Sequence, residues 1–293
     1  MNSFKLIECP RDAMQGLPGF IPTTDKIRYL NALLRVGFDT LDFGSFVSPK
    51  AIPQMSDTAE VLKGLDLSET KTKLLAIVAN VRGAGQAVLY PEIQYLGFPL
   101  SVSETFQIRN TNKTIEQAFA EVEAIQHLCA AHQKQLVVYL SMGFGNPYGD
   151  PYNPELIGQF TERLIQTGIE IIAPSDTVGS STPESIENLF RFLLATFPAI
   201  EFGAHLHARP EQVTEKVKAA LRAGVRRIDG ALHGLGGCPM AADDLTGNLP
   251  TEHIVYLLEN EGIATGIDQN RLTEALVVSS EVLNAHGPAD NVR

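Results

Sequence analysis

Short apolar, β-branched runs alternate with amphipathic stretches along the whole chain. In the amphipathic stretches, apolar residues recur at helical spacing. The runs predict eight strands, over residues 5–9, 40–43, 74–79, 92–97, 136–140, 169–174, 201–207 and 227–231. Several are continuously apolar, as parallel strands covered on both faces must be. Between them the pattern predicts helices over 24–36, 115–132, 153–166, 183–196 and 210–223, the first opening on a Thr cap with Asp25 in its first turn. Gly37, Gly168 and Gly224 stand where helices stop and the next strand begins. Two further helices, about 251–261 and 270–285, are expected on the outside.

Strand–helix alternation of this kind implies a parallel sheet with helical crossovers. Eight units point to a closed (β/α)8 TIM barrel with extra C-terminal helices, and an open doubly wound sheet is the rival. The 293 residues suit one such barrel, and no linker or shift in composition divides the chain. The expectation is a single domain over 1–293, with residues 234–293 supplying a loop at the barrel mouth and the outer helices.

Composition narrows the functional classes. A net charge of -11 disfavours a nucleic-acid partner, which wants a basic footprint. Three widely spaced cysteines, Cys9, Cys129 and Cys238, form neither a disulfide framework nor a CxxC zinc site, and they fit a reducing compartment. No apolar run reaches the roughly 20 residues that span a bilayer. Met1 to Glu8 leads straight into a strand with no signal peptide, so the expected location is the cytoplasm and no membrane partner is expected.

In a barrel the chemistry sits at the C-terminal ends of the strands, and there the unusual polar residues fall. Arg11, Asp12 and Gln15 follow the first strand. Asp42 and Ser45 lie at the second, Ser103 and Glu104 after the fourth, Ser141 after the fifth and Asp176 after the sixth. The seventh carries His205 and His207. The eighth leads to His233 and a Gly-rich loop with Cys238 and Asn248. Residues two apart on a strand point the same way, so His205 and His207 share a face. They read either as a cation-binding pair, with Asp12 as the oxygen ligand, or as strand-end histidines bonded to backbone or carboxylate. Arg11 beside Asp12 is either a structural ion pair or a group that holds a carbonyl or enolate oxygen. Cys238, in Gly234-Leu-Gly-Gly-Cys-Pro239, is either an incidental loop thiol or a proton donor over the barrel mouth. Cys129 reads as helix core and Cys9 as barrel interior. His127, His132 and His253 read as helix surface or core residues. The turn-rich segment 143–154 reads as a pocket wall or a plain connection.

With these residues in hand, the chain resembles the hydroxymethylglutaryl-CoA lyases, metal-dependent barrels whose relatives include the isopropylmalate synthases. The pieces are Glu8-Cys-Pro-Arg-Asp-Ala-Met-Gln15, Ser45-Phe-Val-Ser-Pro-Lys-Ala-Ile-Pro-Gln-Met55, Ser103-Glu-Thr-Phe106 with Asn110 and Asn112, and Ser175-Asp-Thr-Val-Gly179 with Thr182-Pro183. His205-Leu-His207, Gly234-Leu-Gly-Gly-Cys-Pro239 and Thr246-Gly-Asn-Leu249 with Thr251-Glu252 complete the set. The resemblance implies a divalent metal, Mg or Mn, held by Asp12, His205, His207 and Asn248. It implies that Arg11 stabilises the enolate, that Cys238 protonates it, and that Asp42 and Asp176 are further active-site carboxylates. The implied substrate is an acyl-CoA, 3-hydroxy-3-methylglutaryl-CoA, cleaved to acetyl-CoA and acetoacetate by a homo-oligomeric (dimeric) barrel. The chain departs from the pattern around the site: Asp42 stands for a glutamate, and Ala208-Arg-Pro-Glu211 follows the second histidine where the family has Asp-Thr-Tyr-Gly. The stretch from Cys238 to Asn248 is one residue longer, and 142–146 has drifted. A lyase, aldolase or condensing enzyme acting on a related 3-hydroxy acyl-CoA or hydroxy acid is the alternative, and a barrel that only binds a ligand is a third reading.

Overall fold

The computed structural model describes residues 4–237 and 246–286. Its strands are β1 (Lys5–Glu8), β2 (Thr40–Ser45), β3 (Lys73–Ile77), β4 (Ile93–Ser101), β5 (Gln135–Ser141), β6 (Ile171–Asp176), β7 (Glu201–Phe202), β8 (His205–Ala208), β9 (Arg227–Gly230) and β10 (Gly247–Asn248). The first six pair in parallel with their sequence neighbours, and β1 also pairs with β9. Both β7 and β8 pair with β6, and Ala204 between them bonds to the backbone of Arg227 and Asp229. The parallel sheet thereby runs round into a barrel, as expected from the eight apolar runs.

The strand alternation sorts the core into two. Leu75, Ile77, Tyr95, Val137, Tyr139, Ile171 and Ala173 form one cluster on the inner face of β3 to β6. Their neighbours Leu74, Ala76, Leu96, Val138 and Ile172 belong to the larger cluster between sheet and helices. On β2, β8 and β9 the buried interior positions are instead Asp42, His207, Arg227 and Asp229. Half of the lumen is therefore apolar and half is ionic, and the ionic half is what a site can use.

The structure departs from the sequence reading in four places. The seventh strand breaks at Gly203 and Ala204. Pro174 opposite has no N–H to give the ladder, and a Cβ on Gly203 would lie 2.9 Å from Arg227 Cδ. Helix Thr23–Leu34 has no side-chain cap: Thr23 Oγ1 donates to Asp57 at 2.7 Å instead. The helix expected from Pro210 begins as a 3-10 turn, Pro210–Gln212, before Val213–Ala223. Four short helices, Pro10–Gln15, Thr58–Lys63, Val81–Ala87 and Glu104–Thr111, have too few turns to show a period. Helices Thr251–Asn260 and Gln269–His286 follow the barrel, the latter packed on Thr23–Leu34. Among the described residues no helix is long and apolar enough to cross a membrane.

Candidate active site

A cavity of about 460 Å³ opens where β1, β2, β5 and β8 end. Arg11, Asp12, Gln15, Asp42, His205 and His207 line its polar side, and Val47, Ile52, Ile77, Pro99 and Phe106 its apolar side.

Asp12 sits in the first turn of helix Pro10–Gln15, aimed by β1. Its Oδ1 accepts from Gln15 Nε2 at 2.7 Å and Arg11 Nη1 at 3.0 Å. Its Oδ2 accepts from Asn248 Nδ2 at 2.6 Å and the Gly237 N–H at 3.1 Å. Burial works to raise this carboxyl, but Arg11, His205, His207 and Asn248 outweigh it and hold the pKa at about 2. Asp12 is therefore a carboxylate at neutral pH, the form a cation needs.

The two histidines do share a face, with ring centroids 5.2 Å apart. In each, Nδ1 is engaged behind the ring: His205 with Asp229 Oδ2 at 3.1 Å, His207 with the Thr177 carbonyl at 3.1 Å. Such partners fix the tautomer and leave Nε2 to bind. Burial, then the neighbouring His205, lowers His207 to about 4, so its ring is neutral. Its Nε2 is buried without a partner. Burial also works against charge on His205, but Asp229 prevails and raises it.

Asn248 joins the site through Asp12 and does not itself line the cavity. Strand β10 places it by pairing antiparallel with β8, Asn248 opposite His207. Its amide hydrogens go to Asp12 and the Leu235 carbonyl, so what the side chain can offer a cation is Oδ1. The loop backbone covers this pair closely. At Gly236, where φ is +95°, a Cβ would lie 2.7 Å from Asn248 Nδ2 and 2.8 Å from Asp12 Oδ2. Two neutralisable imidazoles, a low-pKa carboxylate and an amide oxygen suit a hard or borderline divalent ion, and the unpartnered His207 Nε2 is what such an ion would satisfy. A tighter trio, Cys9, His205 and Asp229, has its donor atoms within 4.8 Å of one another. There Asp229 already bonds His205, and burial holds the Cys9 thiol well up. That trio is the support behind His205, since only a thiolate would be a ligand.

Arg11 is clamped by Asp42, whose Oδ2 accepts from Nε at 3.0 Å and Nη2 at 2.6 Å. The guanidinium is thus locked at the cavity edge by two charge-assisted bonds to one carboxylate oxygen. Burial raises Asp42 to about 6 against the pull of Arg11, and its Oδ1 has no partner.

Asp176 does not line the cavity. Its buried carboxylate accepts from Ser181 and, at 2.8 Å, from Lys216 Nζ. Cys238 lies outside the described residues. Ser141 lines the cavity, whereas Ser45 donates to the Ile77 carbonyl and Ser103 caps helix Glu104–Thr111. Glu104 accepts from Ile115 N–H, and His233 turns outward to Ser279 at 2.7 Å. In the 143–154 loop, Asn146 accepts from the N–H groups of Tyr148 and Asp150, so the segment ties itself together as a connection.

The sequence reading missed Asp229, the Thr177 carbonyl and Lys216. Asp229 was findable: it alternates with the apolar Ile228 on a strand, so it must face the lumen. Lys216 was also findable, as a lysine on the apolar stripe of Val213, Val217 and Ala220.

The match to known proteins spans the chain. The HMGL-like family model matches residues 5–278. The hydroxymethylglutaryl-CoA lyase YngG of Bacillus subtilis is 34% identical over 97% of this chain and 94% of its own. The mitochondrial hydroxymethylglutaryl-CoA lyase of Homo sapiens is 33% identical, over 96% and 86%. The solved Bacillus subtilis HMG-CoA lyase superposes with a TM-score of 0.90 at 32% identity, covering 100% of this chain and 97% of its own. An HMG-CoA lyase of A. baumannii, in complex with coenzyme A and 3-methylmalate, gives 0.89 at 31% identity, over 99% and 94%. The fold, the motifs and these matches agree, and the chain belongs to the HMGL-like family.

Proposed function

We propose that this chain is a divalent-metal-dependent carbon–carbon lyase that cleaves 3-hydroxy-3-methylglutaryl-CoA to acetyl-CoA and acetoacetate. The observation that carries the reading is that Asp12, His205 and His207 line one cavity, with Asn248 bonded behind Asp12, beside a clamped Arg11. Asp12, His205, His207 and Asn248 are the residues that would hold the metal, with Mg or Mn the proposed ion. When bound, it supplies Lewis acidity that lowers the pKa of the substrate's tertiary hydroxyl.

The chain's own groups do the rest. Asp42, with Oδ1 unpartnered and its pKa raised to about 6, is suited to accept the hydroxyl proton near neutral pH. Loss of that proton lets the C–C bond open in a retro-Claisen cleavage. Arg11 keeps N–H groups beyond those bound to Asp42 and Asp12, and these stabilise the enolate oxygen of the departing acetyl-CoA. Cys238 then returns a proton to the enolate carbon. Asp176 supports the site from behind, through Lys216. The proposal includes a single barrel domain, a homodimer and a cytoplasmic location. Cys9 and Cys129, both free and buried, support the last.

The test is product formation from 3-hydroxy-3-methylglutaryl-CoA by the purified protein, with EDTA and then with Mg or Mn restored. Metal-dependent release of acetoacetate is expected. Absence of product with metal bound would overturn the substrate assignment in favour of a related 3-hydroxy acyl-CoA, for which the shortened Asp42 makes room.

A further inference from the structure

Lys216 lies on helix Val213–Ala223, within the stripe that packs on the barrel. It is 1% exposed. A buried ammonium is costly unless all three of its hydrogens are taken, and an amphipathic helix would accept Leu or Met there at no such cost. All three are taken: Asp176 Oδ2 at 2.8 Å, the His207 carbonyl at 2.8 Å and the Gly179 carbonyl at 3.0 Å. These acceptors come from the end of β6, from β8 and from the turn after β6. The turn between Asp176 and Gly179 contains Thr177, whose carbonyl engages His207 Nδ1. Thr177 Oγ1 also accepts from the Met142 N–H. One ammonium thus fixes both the strand that carries His207 and the turn that orients its ring.

We propose that Lys216, tethered by Asp176, is a positioning residue for the metal site, holding the His207 backbone and the Thr177 turn in the register that aims His207 Nε2. Neither Lys216 nor Asp176 lines the cavity, so both act through His207 and neither touches substrate. The inference rests on the ligand set of the preceding section, and the test separates the two.

The test uses the double variant Lys216→Met/Asp176→Asn, which removes both charges and leaves neither buried alone. Mn2+ binding is measured by calorimetry on the protein without substrate, together with Tm. The expected result is a Tm close to that of the unaltered protein and a Mn2+ dissociation constant raised ~10–100-fold, the usual effect of losing a group that orients a ligand. Asp176→Asn alone keeps both carbonyl bonds of Lys216 and is expected to weaken Mn2+ binding less. Should the double variant not fold, Lys216→Gln carries the test, since Asp176 keeps the N–H and hydroxyl of Ser181 as partners; an unchanged constant in it overturns the proposal. Unchanged binding in the double variant, with metal lost in His207→Ala, overturns the role of Lys216 and leaves the ligand set standing. Unchanged binding in His207→Ala overturns the ligand set, and this inference with it.

Discussion

Gly236→Ala tests whether the loop backbone governs the proposed metal site. Gly236 adopts φ +95°, and an added Cβ would meet Asn248 Nδ2 at 2.7 Å, Asp12 Oδ2 at 2.8 Å and the Asp12 carbonyl carbon at 2.9 Å. Ordinary contact begins at 3.4 Å, so the loop must lift, or Asn248 and Asp12 must retreat, by up to about 0.7 Å. The left-handed backbone adds roughly 1–2 kcal/mol for any L side chain. Either escape separates Asp12 from the Gly237 N–H or from Asn248, and misplacement approaching 1 Å near the chemistry costs ~10²-fold in rate. The expected outcome is Mn2+ affinity down at least tenfold and acetoacetate release down ~10²-fold, with Tm lowered by only a few degrees. Calorimetric titration with Mn2+ and a product assay read the two effects. Gly85→Ala serves as control: it lies in helix Val81–Ala87 with nothing within 4 Å of its added Cβ, so neither readout should move. Wild-type binding and turnover in Gly236→Ala would refute the reasoning, because the loop would then be free to yield.

Three further outcomes are expected. Asp229→Asn removes the carboxylate behind His205 and should weaken Mn2+ binding ~10–100-fold with the fold retained; a titration that matches wild type would count against this support. Cys238→Ala should keep its metal and lose most turnover, and full turnover would remove the thiol as proton donor. Burial pushes Glu8 up to about 8, with Thr251 and Leu232 only partly opposing. Between its ordinary 4.5 and that value the folded protein keeps a proton the unfolded chain releases, so this group's contribution falls as pH rises. Glu8→Gln, neutral throughout, should gain roughly 3–5 kcal/mol on wild type between pH 5 and pH 8; melts at the two pH values showing an equal difference would contradict it.

The barrel was legible because strands buried on both faces print as unbroken apolar runs, as Leu136 to Leu140 does. Asp12, His205 and His207 were legible because polar residues at strand ends interrupt such runs. Other features depend on distances along the chain that no local pattern records. Strand β10 has two residues and no period, yet it decides where Asn248 goes. Asp176 looked like its neighbours at the other strand ends, and only the fold shows Lys216 enclosing it. The break at Gly203 and Ala204 lies opposite Pro174 of β6, and the side chain of Arg227 on the next strand leaves no room for a Cβ at Gly203, neither of which inspection of 201–207 would reveal.

The bond from Asn248 to Asp12 joins residues 236 positions apart. Contacts of such span are the last a chain emerging from its N-terminus can make. The two histidines and Asp12 exist on a nascent chain well before the amide that seats Asp12 does. A chain cut short of Thr246 would keep three of the four proposed ligands, with Asp12 still held by Gln15, Arg11 and Gly237 but missing the bond from Asn248. The bond that seals the Asp12 pair therefore closes only when nearly the whole barrel has been made.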